Sequence, residues 1–224
     1  MDLSPILISA KTASASIVLT FFLGVGAAFF VFKMRHEKGK MILDGILILP
    51  LVLPPTVAGF FLLYLFGVKR PLGRFFLEWF GVKIAFSWQA TVLAAVVISF
   101  PLMYRSARGA FEQVDPDLLN AGRCLGMPEG RIFIKVLLPN ALPGLVSGGI
   151  LAFARGLGEF GATAMIAGNI AGRTRTLPLA VYSDVAAGNM ESAWMYVLLL
   201  VVISFAVVTG MNYVTWVLRR FERR

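Results

Sequence analysis

Residues 115–139 read DPDLLNAGRCLGMPEGRIFIKVLLP, and they interrupt a chain that is otherwise mostly apolar. Asp115 or Asp117 predicts a short helix that starts near Pro116, since a carboxylate satisfies free N–H groups there and proline is tolerated in the first turn. A Gly-Pro turn and a second short helix follow. The residues alone leave two alternatives open, a two-helix element that enters a groove on another protein and an ordinary linker between membrane helices.

The composition of the whole chain requires a lipid environment. The 224 residues are 58% hydrophobic and 15% charged, with a mean hydropathy of +0.80, whereas soluble domains are about one half apolar and about one quarter charged. Apolar runs of about 20 residues are long enough to cross a hydrocarbon core roughly 30 Å thick. We therefore expect an all-α integral membrane protein with a single domain over residues 1–224.

Five apolar runs are predicted to be membrane helices, and the longest hydrophilic insertion, residues 105–135, lies between the third and the fourth. A sixth segment, residues 161–190, is a weaker candidate because glycines and a proline interrupt it. The predicted helices span residues 12–32, 42–66, 88–104, 136–160 and 194–218.

The positive residues indicate an orientation rather than a nucleic-acid partner. The net charge is +9, but the 21 Lys and Arg residues lie between the apolar runs and at the C-terminus, not along one amphipathic face. Most of them fall in segments 33–40, 105–135 and 219–224. Because positive loops stay in the cytoplasm, we expect an N-terminus outside the cell and a cytoplasmic C-terminus.

The chain lacks the residues that catalysis or metal binding requires. It contains no Gly-x-x-x-x-Gly-Lys-Ser/Thr phosphate loop, so we expect no ATP hydrolysis by this chain. It has one histidine, His36, and one cysteine, Cys124, with scattered carboxylates. This set makes no metal site and no nucleophile–base pair. We predict no catalytic residue, metal or bound cofactor, which argues against a membrane enzyme.

The insertion resembles the EAA loop of ABC-importer permeases, whose pattern is Glu-Ala-Ala, three residues, Gly, nine residues and Ile-x-Leu-Pro. Every spacing is kept in this chain, although Asn120 and Gly122 replace the Glu and the second Ala of the family. In that family the loop docks into the ATP-binding subunit, which argues against an autonomous channel or carrier. The resemblance implies an ATPase-coupling role for Asn120, Ala121, Gly122, Gly126, Val136, Leu138 and Pro139.

Residues 153–182 and 49–56 are similar to molybdate permeases, and the run GEFGAT at 158–163 favours molybdate over sulfate. The resemblance implies the type I ABC importer permease fold and ATP-driven molybdate import across the bacterial inner membrane. A sulfate or tungstate permease of the same fold is the alternative. The implied partners are a second permease copy, two ATP-binding subunits that use Mg-ATP, an extracytoplasmic molybdate-binding protein and membrane lipid.

Polar and proline residues within the membrane segments are candidates for a substrate pathway. Arg155 and Glu159 stand four residues apart on one predicted helix and can pair across a turn. Such a pair either lines the route or only pins its helix to a neighbour. Prolines in the second helix remove backbone donors and bend it. The candidate pathway residues are Pro54, Pro55, Thr56, Arg155, Glu159, Thr163 and Asn169.

Three glycines in the fourth predicted helix, Gly144, Gly148 and Gly149, have the spacing of small residues at helix interfaces. Small residues let two membrane helices approach closely. We therefore expect these glycines to contact a neighbouring helix rather than a ligand.

Overall fold

Helices form most of the described backbone. The structure, a computed structural model, describes residues 2–222, with the side chains of residues 211–212 and 214–222 outside the described part. The described helices are α1 (Ser4–Lys33), α2 (Glu37–Val52), α3 (Pro55–Phe66), α4 (Pro71–Phe80), α5 (Trp88–Glu112), α6 (Pro116–Cys124), α7 (Glu129–Ile132), a π-helical turn (Phe133–Leu137), α8 (Leu138–Leu157), α9 (Gly161–Ala167), α10 (Leu177–Ala186) and α11 (Met190–Glu222).

Within residues 2–222, four helical runs are long and apolar enough to cross a membrane, and α2 with α3 makes a fifth when the bent pair is counted as one span. The predicted all-α membrane fold with about five spans is therefore confirmed. The predicted helix 194–218 lies inside α11. The last two residues of the predicted cytoplasmic tail, 223 and 224, lie outside the described residues.

The first helix is longer than residues 12–32, because α1 already begins at Ser4. Ser9 and Lys11, just before the predicted start, lower the local hydropathy. Ser9 is nevertheless buried against the rest of the bundle. Polar groups that find partners inside a membrane protein do not end a helix, so hydropathy alone placed the boundary too late.

The predicted continuous helix 42–66 is broken. α2 and α3 meet at an angle of 109°. Pro54 and Pro55 cause the break, since neither nitrogen carries a hydrogen to donate and each ring excludes a helical residue before it. The sequence indicated a bend here, but the turn is sharp enough to make two separate helices.

The hydrophilic insertion is shorter than residues 105–135. α5 does not end at residue 104 but continues to Glu112. Its last turns are amphipathic: Phe111 is fully buried, whereas Arg108 and Glu112 form an ion pair across one turn at 2.9 Å. α5 thus continues as an amphipathic helix beyond the apolar run from which it was predicted.

The fourth membrane helix begins before residue 136 and ends before residue 160. A continuous helical run extends from Glu129 through the π-helical turn to Leu157. The π-helical turn precedes Pro139, whose nitrogen has no hydrogen for the carbonyl four residues earlier. The Leu138 N–H donates instead to the carbonyl oxygen of Phe133, five residues back. The second short helix of the insertion and the membrane helix are therefore one element.

A polar seam joins α1 and α5 in parallel. Thr12 Oγ1 lies 2.8 Å from Thr91 Oγ1, and Thr20 Oγ1 lies 3.1 Å from Ser99 Oγ. Both pairs are 79 residues apart, so the two helices run in the same direction with one constant register. Ser16 is buried between them. Interhelical hydrogen bonds of this kind stabilise membrane bundles by about 0.6 kcal/mol each.

α8 packs antiparallel against α5 through glycines. A Cβ built on Gly144 would lie 2.6 Å from the Cβ of Ala110, and one built on Gly148 would overlap the side chain of Ser106. Gly149 faces α1. The prediction that these glycines are close-packing positions is confirmed. They bring the backbones of α5 and α8 closer than any larger side chain allows.

The weaker sixth segment, residues 161–190, forms two short helices. α9 has 7 residues and α10 has 10, and at 1.5 Å per residue even α10 is only about 15 Å long. Neither crosses a hydrocarbon core of roughly 30 Å. The N-terminus of α10 is tied to α1, because the Leu177 N–H donates to Ser9 Oγ at 2.7 Å.

We expect Gly144→Ala to destabilise the protein by about 1–3 kcal/mol, because the new methyl group forces α5 and α8 apart. Adding Ala110→Gly should recover part of that loss by reopening the space. Thermal unfolding in detergent measures both effects. Gly26→Ala is the control, since a Cβ there meets no atom within 4 Å. Equal midpoints for Gly144→Ala and the wild type would contradict the packing described.

Candidate functional site

The segment between α5 and α8 is a well-capped helix at one end of the bundle. Asp115 is the N-cap of α6, and its Oδ1 accepts the N–H of Asp117 at 2.9 Å. At the other end Gly126 takes a φ of +72°. The Met127 N–H then donates to the carbonyl oxygen of Gly122 at 3.1 Å. This Schellman arrangement satisfies the free carbonyls and needs glycine at the left-handed position.

One face of α6 is apolar and uncovered. Leu118 is 46% exposed and Leu125 is 80% exposed, and Ala121 is exposed between them. The spacing of three and four residues places all three on the same side of the helix. We call Leu118, Ala121 and Leu125 the coupling face. An apolar helix face at the aqueous end of a membrane bundle is suited to pack against another protein.

The opposite face of α6 holds the helix to its own chain. Leu119 is buried in the core, and a Cβ on Gly122 would lie 3.2 Å from the side chain of Ile132. Gly122 thus points toward α7 rather than outward beside Ala121. Asn120 is exposed, and its Oδ1 accepts a hydrogen bond from Arg123 Nη1 at 2.9 Å. The predicted coupling residues in α6 therefore divide between the outer and the inner face.

Ion pairs join the two arms of the insertion. Arg123 Nε donates to Glu129 Oε1 at 2.8 Å, and this carboxylate raises the pKa of Arg123 above its ordinary value. Lys33 Nζ at the end of α1 lies 3.9 Å from the other oxygen of Glu129. The insertion is thus tethered to α1 as well as to α5 and α8. Because these groups are exposed to solvent, the pairs add little to the stability of the fold.

The remaining predicted coupling residues belong to the helical run that leaves the insertion. Val136 and Leu138 are partly buried and pack against the core around α5. Pro139 is exposed and lies in the first turn of α8, just after the π-helical turn. Asn140 Nδ2 donates to the carbonyl oxygen of Val136 at 2.7 Å. These residues anchor the insertion to α8 and do not belong to the coupling face.

The predicted pair of Arg155 and Glu159 is confirmed, and Glu159 does more than pair. Arg155 Nη1 donates to Glu159 Oε2 at 2.8 Å. The second oxygen, Oε1, accepts the N–H of Ala162 at 2.9 Å, in the first turn of α9. Glu159 is only 3% exposed. The carboxylate therefore links α8 to α9. The spacing of Arg155 and Glu159 in the sequence predicted the ion pair but not this second contact.

α3 packs closely against α9 beside two of the pathway candidates, Pro55 and Thr56. A Cβ on Gly161 would lie 3.0 Å from Pro55 and 3.2 Å from the backbone nitrogen of Thr56. A Cβ on Gly59 would lie 2.6 Å from the Cα of Ala162. Pro54 is the N-cap of α3 and directly precedes Pro55. The break between α2 and α3 thus meets the break between α8 and α9.

Two of the pathway candidates, Thr163 and Asn169, are not exposed where α3 meets α9. Thr163 is 1% exposed, so it lines no open route in this conformation. Asn169 lies beyond α9, in the loop before α10, where its Oδ1 accepts a hydrogen bond from Arg175 Nε at 2.9 Å. Thr56, by contrast, is exposed.

A polar network that the sequence analysis missed ties α2 to α5. Tyr104 OH donates to Asp44 Oδ1 at 2.7 Å, and Arg108 forms an ion pair with the same oxygen. Arg108 also pairs with Glu112, whose Oε1 lies 3.5 Å from Lys40 Nζ. The sequence did contain a sign of this network, since Asp44 is a lone aspartate within an apolar run. Acidic residues within membrane segments face a partner inside the protein.

Comparison with known proteins identifies the family to which the chain belongs. Residues 20–222 match the family model described as the binding-protein-dependent transport system inner membrane component. The chain belongs to this family. The protein is therefore a permease subunit of an ABC importer, a multi-pass component of the inner membrane, and such permeases have no ATPase site of their own.

The permease is similar to proteins named for molybdenum transport. It is 42% identical to the putative molybdenum transport system permease protein YvgM of Bacillus subtilis, over 90% of this chain and 88% of that one. It is 44% identical to the molybdenum transport system permease protein ModB of Escherichia coli K12, over 84% and 81%. Identity to the sulfate transport system permease protein CysT of Salmonella typhimurium is 34%, over 76% and 62%.

The fold of the permease is also found in a solved transporter. It matches a chain of the inward-facing MetNI methionine ABC transporter with a TM-score of 0.75 and 19% identity, over 96% of this chain and 94% of that one. At this identity the match shows the fold alone. The type I importer permease fold predicted from the sequence is confirmed.

We expect a double-mutant cycle of Arg155→Met and Glu159→Leu to be non-additive. Each single change leaves one charge without its partner, whereas the double change removes both, so the coupling energy should be about 0.5–3 kcal/mol. Thermal unfolding of the four purified proteins measures it. Effects that add within about 0.5 kcal/mol would show that the pair is not formed.

Proposed function

We propose that this permease imports an oxyanion, with molybdate as the cargo, and that ATP hydrolysis in a separate subunit drives the transport. The exposed coupling face carries the proposal of ATP coupling. The coupling face lies on the segment whose spacing matches the EAA loop. In the family this loop contacts the ATP-binding subunit, and here its apolar surface is uncovered. The higher identity to the molybdenum permeases than to the sulfate permease supports molybdate over sulfate.

The proposed transporter contains two copies of this chain, each a single domain over residues 1–224. Two subunits that use Mg-ATP dock at the α6 ends, and an extracytoplasmic binding protein delivers the anion at the opposite ends. The N-terminus then lies outside and the C-terminus in the cytoplasm. The positive residues around α6 favour this orientation.

The connections of α6 support a path for motion from the ATPase to the membrane. α6 is joined directly to α5 and to the helical run that contains α8, so a displacement of α6 moves both. The Asp44 network passes a movement of α5 to α2, and α3 passes it to α9 through Thr56 and Gly161. In the proposed cycle ATP binding opens the permease dimer outward and hydrolysis returns it inward.

Weak binding along the route supports rapid release of a dianion. Glu159 neutralises Arg155, the one cation among the pathway candidates. Uncharged groups such as Thr56 then interact with the anion only through their dipoles. A route that bound the dianion tightly would not release it. Selectivity therefore rests mainly on the binding protein.

Labelled molybdate uptake tests the cargo. Cells that lack this permease should regain uptake when the gene is restored, and an excess of sulfate should leave that uptake unchanged. Full competition by sulfate would reassign the cargo to sulfate, and full competition by tungstate alone would leave a molybdate and tungstate importer. Uptake that persists without the partner ATPase would favour an autonomous carrier instead.

Ala121→Trp tests the coupling face. The indole projects outward from α6, so it should block docking without disturbing the fold. We expect the rate of ATP-driven uptake to fall by at least about tenfold, the effect of ~1.4 kcal/mol lost from docking. Gly126 is a poorer site for this test, because its φ of +72° strains any larger residue.

The matched control is Val18→Trp, which adds the same ring at an exposed residue halfway along α1, away from both ends of the bundle. Membrane levels of both variants are measured by immunoblot. Normal uptake with Ala121→Trp at a normal membrane level would remove the proposed coupling role.

A further inference from the structure

A basic pocket lies at the end of the bundle opposite α6. Its volume is about 480 Å³, and three cationic residues, Lys11, Lys83 and Arg173, line it together with Trp88 and Gln89. No carboxylate is among its lining residues. Within the described residues, no ion pair joins the three cations to an acid. The pocket therefore has uncompensated positive charge.

An apolar groove continues from this pocket along the side of the bundle. Its volume is about 460 Å³, and it shares Trp88 and Gln89 with the basic pocket. Below these two residues every lining side chain is apolar. The walls come from α1 and α5, and Phe66 and Phe76 close the groove on the side of α3 and α4.

Trp88 marks the junction between the two regions. Its Nε1 donates to Thr12 Oγ1 at 3.1 Å, and Lys11 Nζ stands 4.4 Å from the centre of its ring. Tryptophan favours the level of the lipid headgroups. The three cations thus lie at headgroup level, and the groove descends from there into the hydrocarbon region.

The length of the groove fits one lipid chain. It follows α1 from Ala15 to Leu23 and α5 from Trp88 to Val96. Eight residue steps at 1.5 Å make about 12 Å. One leaflet of a hydrocarbon core roughly 30 Å thick offers about 15 Å. An acyl chain that starts at the headgroup therefore runs along most of the leaflet within this groove.

We propose that an anionic phospholipid occupies this site, with its phosphate among Lys11, Lys83 and Arg173 and an acyl chain in the groove. The charge selects against phosphatidylcholine, whose headgroup adds a cation next to the phosphate. An acidic side chain of a protein partner would account for the cations but would leave the apolar groove empty. With the orientation proposed above the lipid belongs to the outer leaflet, and the site itself does not depend on the cargo.

Native mass spectrometry of the complete transporter tests the site. The complex is purified in mild detergent and mixed with phosphatidylglycerol or with phosphatidylcholine of the same acyl chains. The wild type should retain phosphatidylglycerol in preference. The double variant Lys83→Gln/Arg173→Gln should retain at least about tenfold less of it, since each basic residue near an anionic lipid contributes a factor of about five. The control Lys69→Gln/Arg70→Gln also removes two cations, in the turn before α4 and outside the pocket, and should bind like the wild type.

A second pair of variants changes the groove and leaves the charges intact. Leu19→Trp fills the groove and should lower phosphatidylglycerol retention. Val18→Trp adds the same ring on the neighbouring exposed surface of α1 and should not. The intact mass of each complex reports whether the variant still assembles, so the groove pair decides the question if the charge variant does not.

Three results would overturn the proposal. One is equal retention of phosphatidylglycerol by the charge variant and its control. Another is equal retention of the two lipids by the wild type. The third is displacement of the lipid by millimolar inorganic phosphate together with normal lipid retention in Leu19→Trp, which would assign the basic pocket to a free anion.

Discussion

The close approach of α5 and α8 is the constraint on which the rest of the structure depends. Gly144 and Gly148 allow the two backbones to meet at Ala110 and Ser106. Because lipid tails are as apolar as the side chains of the helices, association in a membrane depends on such fitted packing and on interhelical hydrogen bonds. α6 connects the two helices at the end where these contacts lie. A displacement of α6, as proposed for ATP coupling, would therefore move α5 and α8 together and not as two independent helices.

The polar groups of the bundle also join its helices, because they pair with one another inside the protein. The hydroxyl pairs of α1 and α5, the Asp44 network and the Arg155–Glu159 pair each satisfy one another within the protein. In a medium without water, unsatisfied polar groups cost several kcal/mol each. The two breaks in the membrane helices, at Pro54 and before Gly161, lie next to each other, since Gly161 approaches Pro55 and Thr56 closely. Their meeting point is the natural place for the helices to change their relative angle.

Local features of the insertion and of the membrane helices were readable from the sequence. The sequence predicted a cap by Asp115 or Asp117, a break at Gly126, close packing at Gly144 and a pair between Arg155 and Glu159. Each of these depends on residues within one turn or on a residue type with one main structural use. Apolar run length likewise predicted the number of spans. Helix ends were less accurate, since amphipathic turns such as the end of α5 continue beyond the apolar run.

Long-range contacts were not readable. The inward position of Gly122 depends on Ile132, the second role of Glu159 depends on where α9 begins, and the Asp44 network depends on α2 lying beside α5. The 109° angle between α2 and α3 also exceeds what proline alone dictates, because α9 packs against α3 and holds it there. No spacing rule within one segment contains this information.

In the proposed transporter the coupling face of α6 lies in the cytoplasm and is covered by an ATPase. Cys124, the one cysteine of the chain, is exposed on α6 and reports on it directly. A maleimide that cannot cross membranes should label Cys124 in inside-out vesicles and not in intact cells, and the rate should fall when the partner ATPase is present. Labelling from outside, or a rate that the ATPase leaves unchanged, would contradict the account.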